Sequence, residues 1–192
     1  MSEVIQCFLL EPTDDQVVYL RRYAGSSEPH GLCASTDAGY HNAMVEIERG
    51  PRDDDSASGD NHPHDDPRWP AACSCGYVFK DTDHWQRFLQ RLYRRSDTGG
   101  LETLHRPPAG AMWYADWMDW MSAKGPDGRC LYVQTPGGPW SPDMPSTDGS
   151  PWKRTGTPPN VTASPSIGIK HRDGRSGWRY HGWLRDGKLV EC

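Results

Sequence analysis

Two cysteines separated by one serine, Cys73 and Cys75, precede Gly76 and form a short turn that can direct two thiolates toward one ion. Structural zinc sites use four Cys or His ligands, so this turn supplies half of such a site. Cys33 and His41 lie upstream and are separated by a loop rich in Gly, Ser, Thr and Asp. We therefore predict a closed, structural zinc site whose ligands are Cys33, His41, Cys73 and Cys75.

Other histidines compete with His41 for the fourth position, namely His30, His62 and His64. His64 is the strongest competitor, because Asp65 and Asp66 follow it and a carboxylate can orient a ligand histidine from behind. A site with only three protein ligands would leave a position for water, and these acidic neighbours would then favour hydrolytic chemistry. The sequence favours His41 as the fourth ligand and leaves the other histidines as alternatives.

The composition also favours a fold that a metal ion helps to stabilise. Gly (20) and Pro (17) make up almost a fifth of the 192 residues, and only 35% of the chain is hydrophobic. The nine tryptophans and eight tyrosines partly compensate, since each aromatic side chain can bury on the order of 150–250 Å². A modest aromatic core combined with a metal site suits such a chain.

The net charge of −5 argues against a protein that binds nucleic acid nonspecifically, because such binding needs a surplus of Lys and Arg. No apolar stretch reaches the roughly 18–20 residues that span a bilayer, and the first residues lack the pattern of a secretory signal. We therefore expect a cytoplasmic protein without a membrane partner. In a reducing compartment, six cysteines are more typical of metal ligands or buried thiols than of disulfides.

Two segments carry the signals of helices. Residues 13–16 have the form of a capping box, which predicts a helix over residues 14–23. A second helix is predicted over residues 83–95, where apolar side chains recur at helical spacing. These side chains are Trp85, Phe88, Leu89 and Leu92.

Strands are predicted where apolar residues run together or alternate with polar ones, over residues 4–10, 43–47 and 130–134. Asp186-Gly187 predicts a hairpin turn between strands at 178–184 and 188–191. Residues 51–66 and 136–165 are predicted to be irregular, the second segment being anchored by Trp140 and Trp152.

The predicted fold class is α+β: a small mixed or antiparallel sheet with one or two helices, long irregular loops and a structural zinc site. We expect a zinc-stabilised α+β region over residues 1–100. A loop-rich region over residues 101–192 would end in the hairpin and pack on the same core.

Three motifs occur in an order that resembles a known family. They are His64-Asp65-Asp66-Pro67-Arg68-Trp69-Pro70, Cys73-Ser74-Cys75-Gly76-Tyr77 and Tyr180-His181-Gly182-Trp183-Leu184-Arg185-Asp186-Gly187. From about Gly39 onward the chain resembles an uncharacterised family of actinobacterial and actinobacteriophage proteins, a domain of unknown function. The resemblance implies a phage or prophage origin and a framework in which the Cys-x-Cys-Gly turn recurs. Family members carry additional cysteines after the Trp140 region, where this chain has Pro and Ser.

The sequence contains none of the common nucleotide-binding or hydrolase motifs. We therefore expect a non-enzymatic phage or prophage protein that acts through protein–protein contacts, for example as a capsid- or tail-associated virion component. Its location would then be the cytoplasm of the bacterial host or the virion.

Two alternative functions remain open. A zinc- or thiol-dependent hydrolase would use the His64 region, or Cys130 with His171 or His181 as its base. A nucleic-acid-binding accessory protein would use the zinc region and the basic residues of the second predicted helix. These basic residues are Arg87, Arg91, Arg94 and Arg95.

Overall fold

The structure, a computed structural model, describes residues 4–25, 31, 33, 39–52, 59, 61–118, 123–146, 149, 152–171 and 176–192. The predicted α+β class is wrong, because these residues form strands and one short 3-10 turn, Asp116–Met118, with no α-helix among them. The strands are β1 (Val4–Gln6), β2 (Phe8–Ala24), β3 (His41–Pro51), β4 (His84–Arg95), β5 (Leu101–Glu102), β6 (Ala111–Tyr114), β7 (Leu131–Thr135), β8 (Gly138–Trp140), β9 (Lys153–Thr157), β10 (Asn160–Lys170), β11 (Trp178–Arg185) and β12 (Lys188–Glu191). Within the described part of the chain, no helix has the length and apolar character needed to cross a bilayer.

The chain divides into two compact units, and the boundaries fall inside β2 and β4. The inserted unit is Thr13–Leu92. The sandwich unit consists of Met1–Pro12 and Tyr93–Cys192. Both units contain paired strands and buried residues, and each unit is described by itself.

Two sets of paired strands make up the sandwich unit. The first is a five-stranded antiparallel sheet in the order β1-β12-β11-β10-β9. In the second set, β6 pairs in parallel with the start of β2 and antiparallel with β7, which continues to β8. Alternate side chains of both sets meet in one buried cluster. The cluster contains Cys7, Met112, Leu131, Val133, Val161, Ala163, Ile167, Tyr180, Leu184 and Leu189.

The predicted C-terminal hairpin is confirmed. Arg185 pairs with Lys188 across the turn, and the two residues between them, Asp186 and Gly187, have φ angles of 46° and 69°. Positive φ at both central positions characterises the type I′ turn, which matches the twist of antiparallel strands and favours Asp-Gly. The predicted strand at 43–47 is also confirmed, since it lies within β3.

The predicted helix over residues 14–23 is wrong, because this segment is the second half of β2 and pairs antiparallel with β3. The capping-box form of residues 13–16, followed by Val17 and Leu20 at helical spacing, favours a helix, but in the structure Val17, Val18 and Leu20 are all buried along a strand. A register shift between Val18 and Tyr19 explains this pattern, since a bulge lets two successive residues face the same side. After the bulge, the buried positions alternate as in an ordinary strand: Leu20, Arg22 and Ala24.

The predicted helix over residues 83–95 is also wrong, because this segment is β4, the neighbour of β2. Trp85 and Phe88 lie on opposite faces of the strand, where arginines of β2 cover their rings. The guanidinium of Arg22 is 3.6 Å from the centroid of Trp85, and that of Arg21 is 5.6 Å from Phe88. Apolar residues on both faces of this strand happen to recur at helical spacing. Pairing with β2 makes the segment a strand although its local sequence pattern favours a helix.

The prediction that residues 136–165 are irregular is wrong in part, since β8, β9 and the first half of β10 lie there. Both β8 and β9 are edge strands, which tolerate Pro139 and Gly156 because one side of the strand makes no ladder hydrogen bonds. The two tryptophans of this segment do pack together: the rings of Trp140 and Trp152 meet edge to face with centroids 5.3 Å apart. In the segment 51–66, residues 53–58 and 60 lie outside the described residues.

Candidate metal centre

The four predicted ligands, Cys33, His41, Cys73 and Cys75, come together in the inserted unit, with all ligand atoms within 4.8 Å of one another. The Sγ atoms of Cys33 and Cys73 are 3.7 Å apart, and His41 Nδ1 is 3.2 Å from Cys75 Sγ. Tetrahedral coordination with Zn–S near 2.3 Å and Zn–N near 2.0–2.1 Å implies S···S edges of about 3.8 Å and N···S edges of about 3.6 Å. The cluster therefore has the dimensions of a four-ligand metal site. Disulfide-bonded sulfurs lie only about 2.05 Å apart, so the first pair is not a disulfide.

The Cys73–Cys75 arm is a tight turn closed by an isolated β-bridge between Ala72 and Val78. The Cys73 backbone N–H donates to the carbonyl of Tyr77 at 2.8 Å, and the Gly76 N–H donates to the carbonyl of Cys73 at 2.9 Å. Gly76 has φ of 93°, a backbone conformation that residues with a Cβ rarely adopt. The glycine thus lets the chain fold back so that both thiols point to the same place.

The second arm lies at the end of the β2–β3 pairing. His41 is the first residue of β3 and stands opposite Ala24, the last residue of β2. Cys33 is fixed beside it because its backbone N–H donates to the carbonyl of Gly39 at 2.8 Å. The sheet register therefore determines where the imidazole lies, and a short loop contact determines where the third thiol lies.

A layer of side chains behind the cluster holds the histidine in position. The His41 ring stacks on Tyr77 with centroids 4.1 Å apart and an interplanar angle of 13°. The Tyr77 hydroxyl donates to Asp83 Oδ2 at 3.1 Å, and the same oxygen accepts the Lys80 N–H at 2.8 Å. Nothing in the sequence pattern predicted that Tyr77 and Asp83 support the site. The only signal for Tyr77 was its position directly after the Cys-x-Cys-Gly turn.

Burial differs among the ligands. Cys33, His41 and Cys73 are buried, and the two cysteines pack with Phe79 and Ala24, whereas Cys75 is exposed. The site therefore sits at the surface of the inserted unit, with one ligand open to solvent. An ion could enter from that side and still be held mostly by buried groups.

The thiols perturb one another electrostatically. A hydrogen bond from the Tyr77 backbone lowers the pKa of Cys75, but desolvation and the neighbouring thiols of Cys33 and Cys73 outweigh it, so that the pKa is raised. Three thiolates this close would repel one another. A divalent cation at their centre removes that repulsion and takes the place of the protons, which is how metal binding stabilises such clusters.

The competing histidines have other contacts. His62 Nε2 is 2.7 Å from Asp66 Oδ2, and the pKa of Asp66 is held below its usual range by hydrogen bonds from Arg68 and then from His62. His64 stacks on Trp85 with centroids 4.6 Å apart. Neither histidine belongs to the described metal cluster, and His30 lies outside the described residues.

The surroundings of Cys130 disfavour thiol catalysis. Burial raises the pKa of the Cys130 thiol, whose Sγ lies 3.6 Å from Ser141 Oγ, and this disfavours the nucleophilic thiolate. His181 stacks on Trp178 on the face of its sheet opposite to the buried Tyr180. His171 is half-buried and follows directly on β10.

The four arginines expected to share one helix face lie instead along β4, where successive side chains alternate between faces. Arg91 and Arg95 are both occupied locally. The Nε of Arg91 donates to the carbonyl of Thr13 at 2.6 Å, and Arg95 forms a two-point pair with Asp97. The helix face that was expected to bind nucleic acid is therefore not present, because the segment that carries these arginines is a strand.

Comparison of the chain with protein-family models, with curated proteins and with solved structures gives no match. The functional argument therefore depends on the side chains and distances of the structure itself.

Proposed function

We propose that Cys33, His41, Cys73 and Cys75 bind one Zn²⁺ ion with a structural role, and that the protein acts by binding a partner rather than by catalysis. The observation that carries the proposal is the convergence of four ligand atoms within 4.8 Å. Three thiolates and one imidazole are soft to borderline ligands, which favour Zn²⁺ over Mg²⁺ or Ca²⁺.

The number of ligands supports a structural role. Catalytic zinc sites keep three protein ligands and leave the fourth position to water or substrate. Here four protein groups would fill a tetrahedral shell. The ion would tie the Cys73–Cys75 turn to the start of β3 and thereby stabilise a part of the chain whose buried cluster is small.

The partner is proposed to be a protein, such as a phage structural protein, and the role a capsid- or tail-associated one. This part of the proposal rests on the resemblance of the three sequence motifs to actinobacteriophage proteins. Mass spectrometry of purified virions tests it: peptides of this chain are expected in the particles. Their absence from particles, when they are abundant in infected cells, would contradict a virion role.

The zinc proposal is tested by thermal unfolding of the wild type and of Cys73→Ser, with and without a chelator. A bound structural ion contributes several kcal/mol to stability, and for a chain of this size about 1 kcal/mol shifts Tm by roughly 2–4 °C. We expect Tm to fall by about 10 °C or more in Cys73→Ser and in chelated wild type.

Cys192→Ser is the matched control, because this cysteine is exposed and lies outside the cluster. It should unfold at the wild-type temperature and remain sensitive to chelator. An unchanged Tm in Cys73→Ser and no effect of chelator on the wild type would refute the structural zinc.

A further inference from the structure

The outer face of the five-stranded sheet, the side away from the buried cluster, carries aromatic rings and cations. On β11 the side chains of Tyr180 and Leu184 point into the cluster, so His181 and Trp183 point outward. Trp178 also lies on the outer side, because it pairs with Lys170 beyond a register shift and its ring stacks on His181. We call this surface the aromatic–cationic face. It consists of Lys170, Trp178, His181, Trp183, Arg185 and Lys188.

The rings form a platform rather than part of a core. A Cβ placed on Gly168 would lie 2.7, 3.0 and 3.2 Å from three ring atoms of Trp178, so that ring packs directly against the glycine. Trp178 is nevertheless 49% exposed, so about half of the residue is open to solvent. The His181 ring is nearly parallel to it with centroids 5.4 Å apart, and Trp183 follows at 6.4 Å from His181.

A cation lies over each of the two tryptophan rings. Lys170 Nζ is 5.6 Å from the centroid of Trp178, and the Arg185 guanidinium is 4.8 Å from that of Trp183. Lys188 stands directly opposite Arg185 in the hairpin and therefore shares its face. Like charges in directly opposed positions destabilise a sheet, and a bound anion would relieve this repulsion.

The charge balance of the C-terminal segment differs from that of the whole chain. The chain carries −5, yet residues 160–192 contain six Lys or Arg and three Asp or Glu. Within the part of the chain that the structure describes, Lys170, Arg185 and Lys188 form no ion pair with a carboxylate. The net charge of the sequence therefore concealed a local basic surface.

We propose that the aromatic–cationic face binds single-stranded nucleic acid, with bases stacking on the two tryptophans and phosphates pairing with the three cations. Flat aromatic rings bordered by Lys and Arg are the combination that binds single strands without sequence preference. A duplex fits less well, because its bases are already stacked and cannot reach the rings. A neutral sugar would use the rings but has no need of the cations.

The test uses the full chain and a fluorescein-labelled oligo(dT) of about 15 nucleotides, within the usual range of site sizes, measured by fluorescence anisotropy at about 50 mM salt. We expect Trp178→Ala and Trp183→Ala each to weaken binding about 10-fold, the usual loss when one base loses its stacking partner. Trp117→Ala is the matched control, since Trp117 is 57% exposed and lies outside this face. It should bind as the wild type does.

The charge contribution is measured separately with the double variant Arg185→Gln/Lys188→Gln. Each phosphate contact to a single strand contributes about 0.7 to the slope of log K against log salt, so the slope should fall by about 1.4. Arg106→Gln, which changes an exposed arginine elsewhere in the sandwich unit, should leave the slope unchanged. Thermal unfolding of every variant verifies that it is folded.

Three results would overturn the proposal. One is no binding of oligo(dT) by folded wild type at about 100 µM, the weak end of nonspecific affinities. Another is binding that neither tryptophan substitution weakens, or that is equally strong for duplex DNA. The third is tryptophan-dependent binding of a neutral polysaccharide without binding of oligo(dT), which would assign the face to sugars.

Discussion

Replacement of Arg154 by methionine removes the cation at the centre of a buried charge network in the sandwich unit. The Arg154 side chain is 1% exposed, and its Nε donates to Asp143 Oδ1 at 2.8 Å, where Asp143 is itself 2% exposed. The other end of the guanidinium makes two hydrogen bonds to Asp127, at 2.6 and 3.0 Å. The carboxylate of Asp143 also accepts the backbone N–H of Leu131 at 2.8 Å, so it cannot move away to solvent.

The expected loss follows from this burial. Removing one partner of a buried ion pair leaves an uncompensated charge and costs about 3–5 kcal/mol. Arg129→Met is the matched control, because Arg129 pairs with Asp116 at 2.6 Å but the two side chains are 45% and 54% exposed. A surface pair of this kind contributes roughly 0–1 kcal/mol. Urea unfolding of both variants should therefore give clearly separated free energies of unfolding.

A double variant distinguishes an unpaired charge from lost packing. Asp143→Asn keeps an oxygen that can accept the Leu131 N–H but removes the charge. In Arg154→Met/Asp143→Asn the loss should be smaller than the sum of the two single losses by more than about 1 kcal/mol. The reasoning is refuted if Arg154→Met unfolds with the same free energy as Arg129→Met, or if the two substitutions simply add.

Four other predictions follow from the described contacts. Burial raises the pKa of Asp127, but hydrogen bonds from Arg154 and Tyr114 outweigh it and hold the pKa below its usual range. The stability that this group contributes is therefore present above about pH 4 and is lost as the pH falls toward its folded pKa. Urea titrations at a series of acidic pH values should show Asp127→Asn losing less stability on acidification than the wild type, and parallel curves would count against the ion pair. Leu184→Ala should cost about 2–5 kcal/mol in urea unfolding, since this side chain is fully buried; a loss below about 1 kcal/mol would show that the cluster is not a packed core. Tyr180→Phe should be neutral or stabilising by up to about 1 kcal/mol, because within the described structure the buried hydroxyl has no hydrogen-bond partner; a clear loss in thermal stability would reveal a partner. Gly76→Ala should cost roughly 1–2 kcal/mol because of its φ of 93°, although a Cβ there would meet no atom within 4 Å; an unchanged Tm would contradict the turn geometry.

The metal cluster and the C-terminal hairpin could be predicted from the sequence because both depend on local or chemically specific signals. Asp186-Gly187 requires little beyond its own backbone preference to form the turn. Two cysteines one residue apart need two further ligands, and Cys33 and His41 were suitable candidates. The ligand requirements of zinc therefore predicted the site without knowledge of the tertiary structure.

The helices could not be excluded from the sequence, because what decides between strand and helix lies far along the chain. Trp85 and Phe88 are covered by Arg22 and Arg21, more than 60 positions away in the sequence. The capping-box form of residues 13–16 likewise favours a helix, whereas pairing with β3 makes this segment a strand. Sequence spacing likewise could not predict that Tyr77 supports His41 or that Trp178 packs on Gly168, because both depend on tertiary contacts.

The central claim, a zinc ion held by Cys33, His41, Cys73 and Cys75, is tested most directly by elemental analysis together with zinc X-ray absorption on protein purified without chelator. We predict about one zinc ion per chain, surrounded by three sulfurs at about 2.3 Å and one nitrogen at about 2.0–2.1 Å. Folded protein that contains no stoichiometric metal would contradict the claim. So would a zinc ion whose neighbours are mainly oxygen, because the ion would then lie somewhere other than the cysteine cluster.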